Sequence, residues 1–140
     1  MQGTGREMAF HWPVRVYYSD TDAGGVVYHA NYLNFFEHAR SEMLREKGFE
    51  QDELAQSGVL FVVRNMSIDF VRPARFNQAL TVVTEVTKLA GASMVFSQSL
   101  EDDEGSCYCR AQVTVVCIDS EAFKPRPIPS HIKQELARVS

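Results

Sequence analysis

An α+β domain, with one long helix laid on an antiparallel sheet of about five strands, is the fold class this sequence predicts. Three observations predict it. Residues 31–47 carry the one long helical periodicity in the chain. One strand-like stretch precedes that segment and four follow it, each rich in β-branched residues and loosely alternating. The links between the later strands are too short for crossovers, so neighbours must pair antiparallel, and a lone helix on one face of such a sheet is the α+β arrangement. The 140 residues suit one domain over 1–140, with an N-terminal extension over about 1–10 and a C-terminal tail over about 120–140.

Each element has its own warrant. Residues 11–18 alternate and contain Trp, Val and Tyr, which predicts a strand, and residues 20–25 are turn-forming. In 31–47, Tyr32, Phe36, Ala39 and Met43 form a stripe that Leu33 and Leu44 widen. Phe35 joins the same packing surface, while Glu37, Arg40, Glu42, Arg45 and Glu46 are assigned to the polar side. Gly48 is placed to cap the helix after Lys47, and a short helix is expected over 51–56, closed by Gly58. Residues 59–71 begin apolar on both faces, as a central strand would. Residues 80–89 alternate, Gly91 turns the chain, and Ala92, Met94, Phe96 and Leu100 share a face of the next strand. A polar hairpin loop over 101–105 leads to a last strand over 107–119. There Cys107, Cys109, Ala111, Val113, Val115 and Cys117 make one wholly small or apolar face. Three prolines and a short helical piece over 131–138 complete the tail. A single helix covers only one face of such a sheet, so a second copy of the chain is expected.

Composition narrows the function. A net charge of −4 argues against a general nucleic-acid binder. The first residues lack the apolar run of a signal peptide, and no window approaches the roughly 18 apolar residues of a membrane span, so a cytoplasmic protein without a transmembrane segment is expected. Three cysteines are too few and odd for a disulfide scaffold. They also lack the fourth ligand and spacing of a zinc site. They read as filler on a buried strand face, and no metal or cofactor is expected.

The chemistry concentrates in YYSDTDAGGVVYHANYLNFFEHAR, residues 17–40. Asp22 follows a strand and precedes the long helix. Gly24 and Gly25 let the backbone pass close to a ligand. The helix start offers unpaired N–H groups and a positive dipole end, which can hold an oxyanion. A carboxylate opposite such donors can act as nucleophile or as general base on a carbonyl. Both are weak roles for a carboxylate, so an activated substrate such as a thioester is favoured over an amide; its thiolate leaves with a pKa of about 8.5. The plainer reading of Asp20 and Asp22 is a turn with Asx hydrogen bonds, and Asp20 is assigned that structural part. An EF-hand is excluded because the twelfth position is Asn31 rather than Glu and no helix precedes the loop.

This run resembles the signature of the 4-hydroxybenzoyl-CoA-thioesterase-like branch of the hotdog fold. It is most similar there to the YbgC-type acyl-CoA thioesterases encoded with the Tol-Pal envelope system, and FVVRNMSIDFVRPARF at 61–76 matches in place and character. The resemblance implies a long central helix wrapped by a curved sheet, and hydrolysis of acyl-CoA to free acid and CoA, with coenzyme A as part of the substrate rather than a cofactor. It implies that Asp22 is the catalytic carboxylate, supported by Tyr18 and His29, and that the His29 amide polarises the thioester carbonyl. Gly24, Gly25 and Val26 would line the substrate, and Arg72 and Arg75 would meet the CoA phosphates. It also implies sites between protomers of a homodimer or homotetramer, with acyl carrier protein as an alternative carrier. Asn77 and Gln78 replace acidic residues common in relatives, a change expected to affect the turn. Two competing readings are a non-catalytic module at the envelope that binds acyl-CoA or acyl carrier protein, and a dehydratase of the same fold. His11, His38 and His131 receive no functional part.

Overall fold

The computed structural model describes residues 8–139. The N-terminal extension expected over about 1–10 lies outside the described residues as far as residue 7. The elements are β1 (Phe10–Arg15), a 3-10 turn (Tyr18–Asp20), α1 (Asn31–Glu46), α2 (Gln51–Gln56), β2 (Val59–Phe70), β3 (Ala79–Leu89), β4 (Ser93–Glu101), β5 (Cys107–Asp119) and α3 (Ser130–Leu136), followed by a 3-10 turn (Ala137–Val139). The strands form one antiparallel sheet in the order β1-β3-β4-β5-β2. Its inner face packs on α1, the hotdog arrangement that the resemblance implies.

The helix forms where the stripe predicted it and ends by the predicted device. Gly48 adopts φ +92°, and its N–H closes onto the Arg45 carbonyl. Phe36, Ala39 and Met43 are fully buried against the sheet, and Tyr32, Phe35 and Leu44 nearly so. On the sheet side Val82, Val86, Met94, Phe96, Leu100, Cys109, Val113 and Cys117 complete the core. Cys107 is half-buried at the start of β5. Burial pushes the thiol of Cys109 up to about 12, and raises those of Cys107 and Cys117 as well.

Four expectations are corrected. The first strand stops at Arg15 rather than reaching Tyr18, because the Asp20 carboxylate accepts the Tyr17 N–H and curls residues 17–20 into the 3-10 turn. β2 is an edge strand, not a central one: among the described residues it pairs only with β5. Its apolar inner-face residues Val63 and Phe70 are exposed, as is the adjoining Val71. Leu33 is likewise 40% exposed and does not widen the buried stripe. Arg40, assigned to the polar side of α1, is only 9% exposed. Its Nη1 donates to Gln98 Oε1 at 3.0 Å, and Gln98 Nε2 donates to the Phe36 carbonyl and to Thr84 Oγ1. Gln98 occupies the place that the apolar face of β4 leaves between Phe96 and Leu100.

The C-terminal tail is part of the core. Arg126 donates to the Cys117 carbonyl and Ile128 to the Gly91 carbonyl. Ile128, Ile132, Leu136 and Val139 are buried. Pro13 sits in β1, which among the described residues pairs only with β3, so its missing N–H falls on an edge.

Candidate active site

Residues 20–28 form a tight hairpin loop at the start of α1. The Tyr28 N–H donates to the Asp20 carbonyl, Thr21 bridges Val27, and the Asp22 N–H donates to the Val26 carbonyl. Asp20 anchors this loop: its carboxylate holds Tyr17, and its carbonyl also accepts Asn31 Nδ2 at 3.0 Å. The structural part expected of Asp20 is what it plays.

Asp22 sits at the exposed tip. Its Oδ1 accepts the Gly24 N–H at 2.9 Å, the Asx bond of the plainer reading. Oδ2 has no partner among the described residues. The two glycines serve different ends. Gly25 has φ +78°, which a side chain would strain. A Cβ on Gly24 would meet Asp22 Oδ1 at 3.4 Å, an ordinary contact. Gly25→Ala is therefore expected to cost about 1–2 kcal/mol of stability in thermal denaturation, and Gly24→Ala less than about 0.5 kcal/mol. Equal losses would contradict this division.

Past the loop, the first α1 residues tighten into i→i+3 bonds: Asn31 donates to Tyr28, Tyr32 to His29 and Leu33 to Ala30. Among the described residues, the N–H groups of His29 and Ala30 are not taken. They stand at the positive end of the helix dipole. The His29 ring is exposed, tilted on Tyr28 at 4.6 Å and edge-on to Phe70 at 6.2 Å.

The loop between β2 and β3 is stitched to this hairpin. Val27 donates to the Ala74 carbonyl, Val26 bridges Arg75, and the Ala74 N–H donates to the Tyr32 hydroxyl at 3.0 Å. That hydroxyl is buried, and burial raises its pKa against the lowering effect of the Ala74 N–H. Asn77 takes φ +72°, and Gln78 accepts the Arg75 N–H while donating to the Tyr108 hydroxyl. Both residues act within the turn itself, Asn77 through its backbone and Gln78 through its side chain. Arg72 lies over the Tyr108 ring at 5.5 Å. A depression of about 250 Å³ is lined by Val27, His29, Tyr32, Phe70, Arg72 and Pro73.

The fold thus brings Asp22, Gly24, Gly25, Val26 and His29 onto one loop, with Arg72 and Arg75 on the loop sewn to it. Tyr18 stands apart: it is 78% exposed and edge-on to Phe76 at 5.7 Å. No hydrogen bond joins it to Asp22 or His29 among the described residues. Sequence reasoning missed the Tyr32 hydroxyl as the clamp between the two loops, and missed the burial of Arg40. The second had a signal: Arg40 follows Phe36 by four residues, about 40° around the helix, and so lies within the apolar stripe. Among the described residues no group of three His, Cys, Asp or Glu side chains is placed to hold a metal.

Comparisons with known proteins match the chain to thioesterases. The profile of the thioesterase-like superfamily matches residues 16–136. The acyl-CoA thioester hydrolase YbgC of Escherichia coli O6:H1 is 49% identical over 126 residues, spanning 90% of this chain and 94% of its own. A probable thioesterase from Bartonella henselae superposes with a TM-score of 0.81 at 44% identity, covering 86% of this chain and 99% of that one. A 1,4-dihydroxy-2-naphthoyl-CoA thioesterase from Synechocystis gives a TM-score of 0.86 at 24% identity, over 92% and 96% of the two chains, which speaks for the fold.

Proposed function

The chain belongs to the thioesterase-like superfamily and is an acyl-CoA thioester hydrolase, and from that premise we propose that Asp22 carries the reaction, with main-chain N–H groups at the start of α1 as its electrophilic partner. One observation supports this most: among the described residues, the closed hairpin carries a carboxylate with an unbonded oxygen at its tip and two untaken amides just past its end. The thioester oxygen would be held by the His29 and Ala30 N–H groups, which stabilise it as charge develops. Asp22 then either attacks the carbonyl carbon, expelling the CoA thiolate to leave a mixed anhydride that water cleaves, or takes a proton from an attacking water. His29 enters through its amide, Tyr18 through the loop it borders, and Gly24, Gly25 and Val26 as the wall the substrate passes. Release of free thiol from a panel of acyl-CoAs is the test. No turnover above an Asp22→Ala background on any member would favour a binding module, and an enoyl product would favour a dehydratase.

Two further parts of the reading have their own support. The unpaired edge of β2, with Val63, Phe70 and Val71 exposed beside it, suits pairing with the same edge of a second copy about a two-fold axis. Arg72 and Arg75 would contact the phosphates of coenzyme A. Replacing either by alanine is expected to raise KM about fivefold, the worth of an exposed ion pair, with kcat unchanged. Steady-state kinetics with one acyl-CoA checks this, and an unaltered KM would return both side chains to solvent.

A further inference from the structure

Residues 71–78, between β2 and β3, carry Arg72 and Arg75 and no acidic side chain. Among the described residues neither guanidinium pairs with a carboxylate. Their placement therefore rests on the backbone that carries them and, for Arg72, on the Tyr108 ring beneath it. That backbone is held from two sides. On the β5 side the Tyr108 carbonyl accepts the N–H groups of Val71 and Arg72. On the helix side Ala74 is pinned twice. Its carbonyl accepts the Val27 N–H at 2.8 Å, and its N–H donates to the Tyr32 hydroxyl at 3.0 Å. Ala74 is fully buried, and Pro73 before it locks a backbone dihedral. A shift of Ala74 is therefore passed on to Arg72 and Arg75.

Of the bonds that hold Ala74, the one from Tyr32 is made by a side chain and can be deleted without touching the backbone. Phenylalanine at position 32 keeps the ring that packs on Phe35 and Phe70. It leaves the Ala74 N–H buried without its acceptor, a state costly enough to move the loop. Burial raises the pKa of the Tyr32 hydroxyl and keeps it neutral, so its removal changes no charge beside the arginines. What the substitution alters is position rather than field.

We propose, resting on the assignment of Arg72 and Arg75 to the phosphates of coenzyme A, that Tyr32 is a positioning residue for carrier recognition: by holding Ala74, its hydroxyl sets both arginines for the nucleotide end of the thioester. One other part is open to this hydroxyl. It borders the depression between His29 and Arg72, and its hydrogen has no acceptor among the described residues. A direct bond to the pantetheine arm would act on every pantetheine thioester alike, whereas positioning of the arginines acts only where phosphates are present.

The test presents one acyl group to the full chain on two carriers, CoA and pantetheine. Pantetheine has the same thiol arm and lacks the phosphates and the nucleotide. Wild-type kcat/KM is expected to favour acyl-CoA about tenfold or more, as two exposed phosphate contacts combine. Tyr32→Phe should lower that preference about threefold or more, through a raised KM for acyl-CoA, with the KM for acyl-pantetheine unchanged. In an Arg72→Ala/Arg75→Ala background Tyr32→Phe should alter the preference no further, because the side chains it sets are gone. A preference measured on one preparation is independent of how much of it is folded, so lost stability cannot imitate the effect. A preference unmoved by Tyr32→Phe overturns the proposal, and so does an equal rise of KM on both carriers. A further loss of preference in the background without the arginines overturns the route through them. A wild type without preference sinks the arginine assignment and this inference with it, whereas no hydrolysis of any acyl-CoA sinks the function beneath both.

Discussion

Replacing Asp22 by asparagine is expected to lower kcat on an acyl-CoA about 10²–10⁴-fold, the range for a lost general base or nucleophile. The asparagine keeps an oxygen for the Gly24 N–H, so the loop and its Asx bond remain. The side chain is exposed, and an exposed substitution that preserves its hydrogen bond should change stability by no more than about 0.5 kcal/mol. Activity and stability therefore separate, and measuring kcat beside the melting temperature shows it. Wild-type turnover in the asparagine variant would end the assignment. A single turnover in heavy-oxygen water divides the two routes. Label entering the Asp22 carboxyl supports the anhydride, and label confined to the product acid supports water activated by Asp22.

The next largest effect concerns an atom that no side-chain scan reaches. His29→Pro removes one of the two untaken N–H groups, and the expected loss in kcat is about 10²–10³-fold, as for removal of one oxyanion donor. His29→Ala keeps the N–H and removes only a ring that rests on Tyr28 and Phe70. Its kcat should stay within a few-fold of wild type. If alanine loses as much as proline, the imidazole acts and the amide does not. Circular dichroism and the melting temperature of the proline variant show whether α1 still begins at Asn31.

Several of these elements were legible before any coordinates. The period of Tyr32, Phe36, Ala39 and Met43 gave α1 within a residue of its observed end, because Gly48 stops it locally. The single-parity face of β5 read correctly for the same reason: strand periodicity is carried by each residue's own position. The hairpin of Asp22, Gly24 and Gly25 was visible as turn chemistry, and its neighbour His29 as the approach to a helix. What was misread depends on neighbours far along the chain. Residues 59–71 have the apolar run of a central strand, and only the strand order shows that β2 is an edge. Tyr18 reads as the end of a strand until Asp20 pulls it into a turn.

The sequence by itself determined the period of each element, the residues that break it, and the presence of a carboxylate and two glycines before a helix. These are local, fixed by backbone sterics and by hydrogen bonds a few residues long. Only the tertiary structure decided that Arg40 finds its partner in Gln98, that Tyr32 ties the Asp22 hairpin to the Arg72–Arg75 loop, and that the outer edge of β2 pairs with no other strand among the described residues. Those outcomes hang on pairings such as Arg40 with Gln98, 58 residues apart. Burial and hydrogen bonding at such distances are settled by packing the whole sheet against one helix, and no window along the chain contains them.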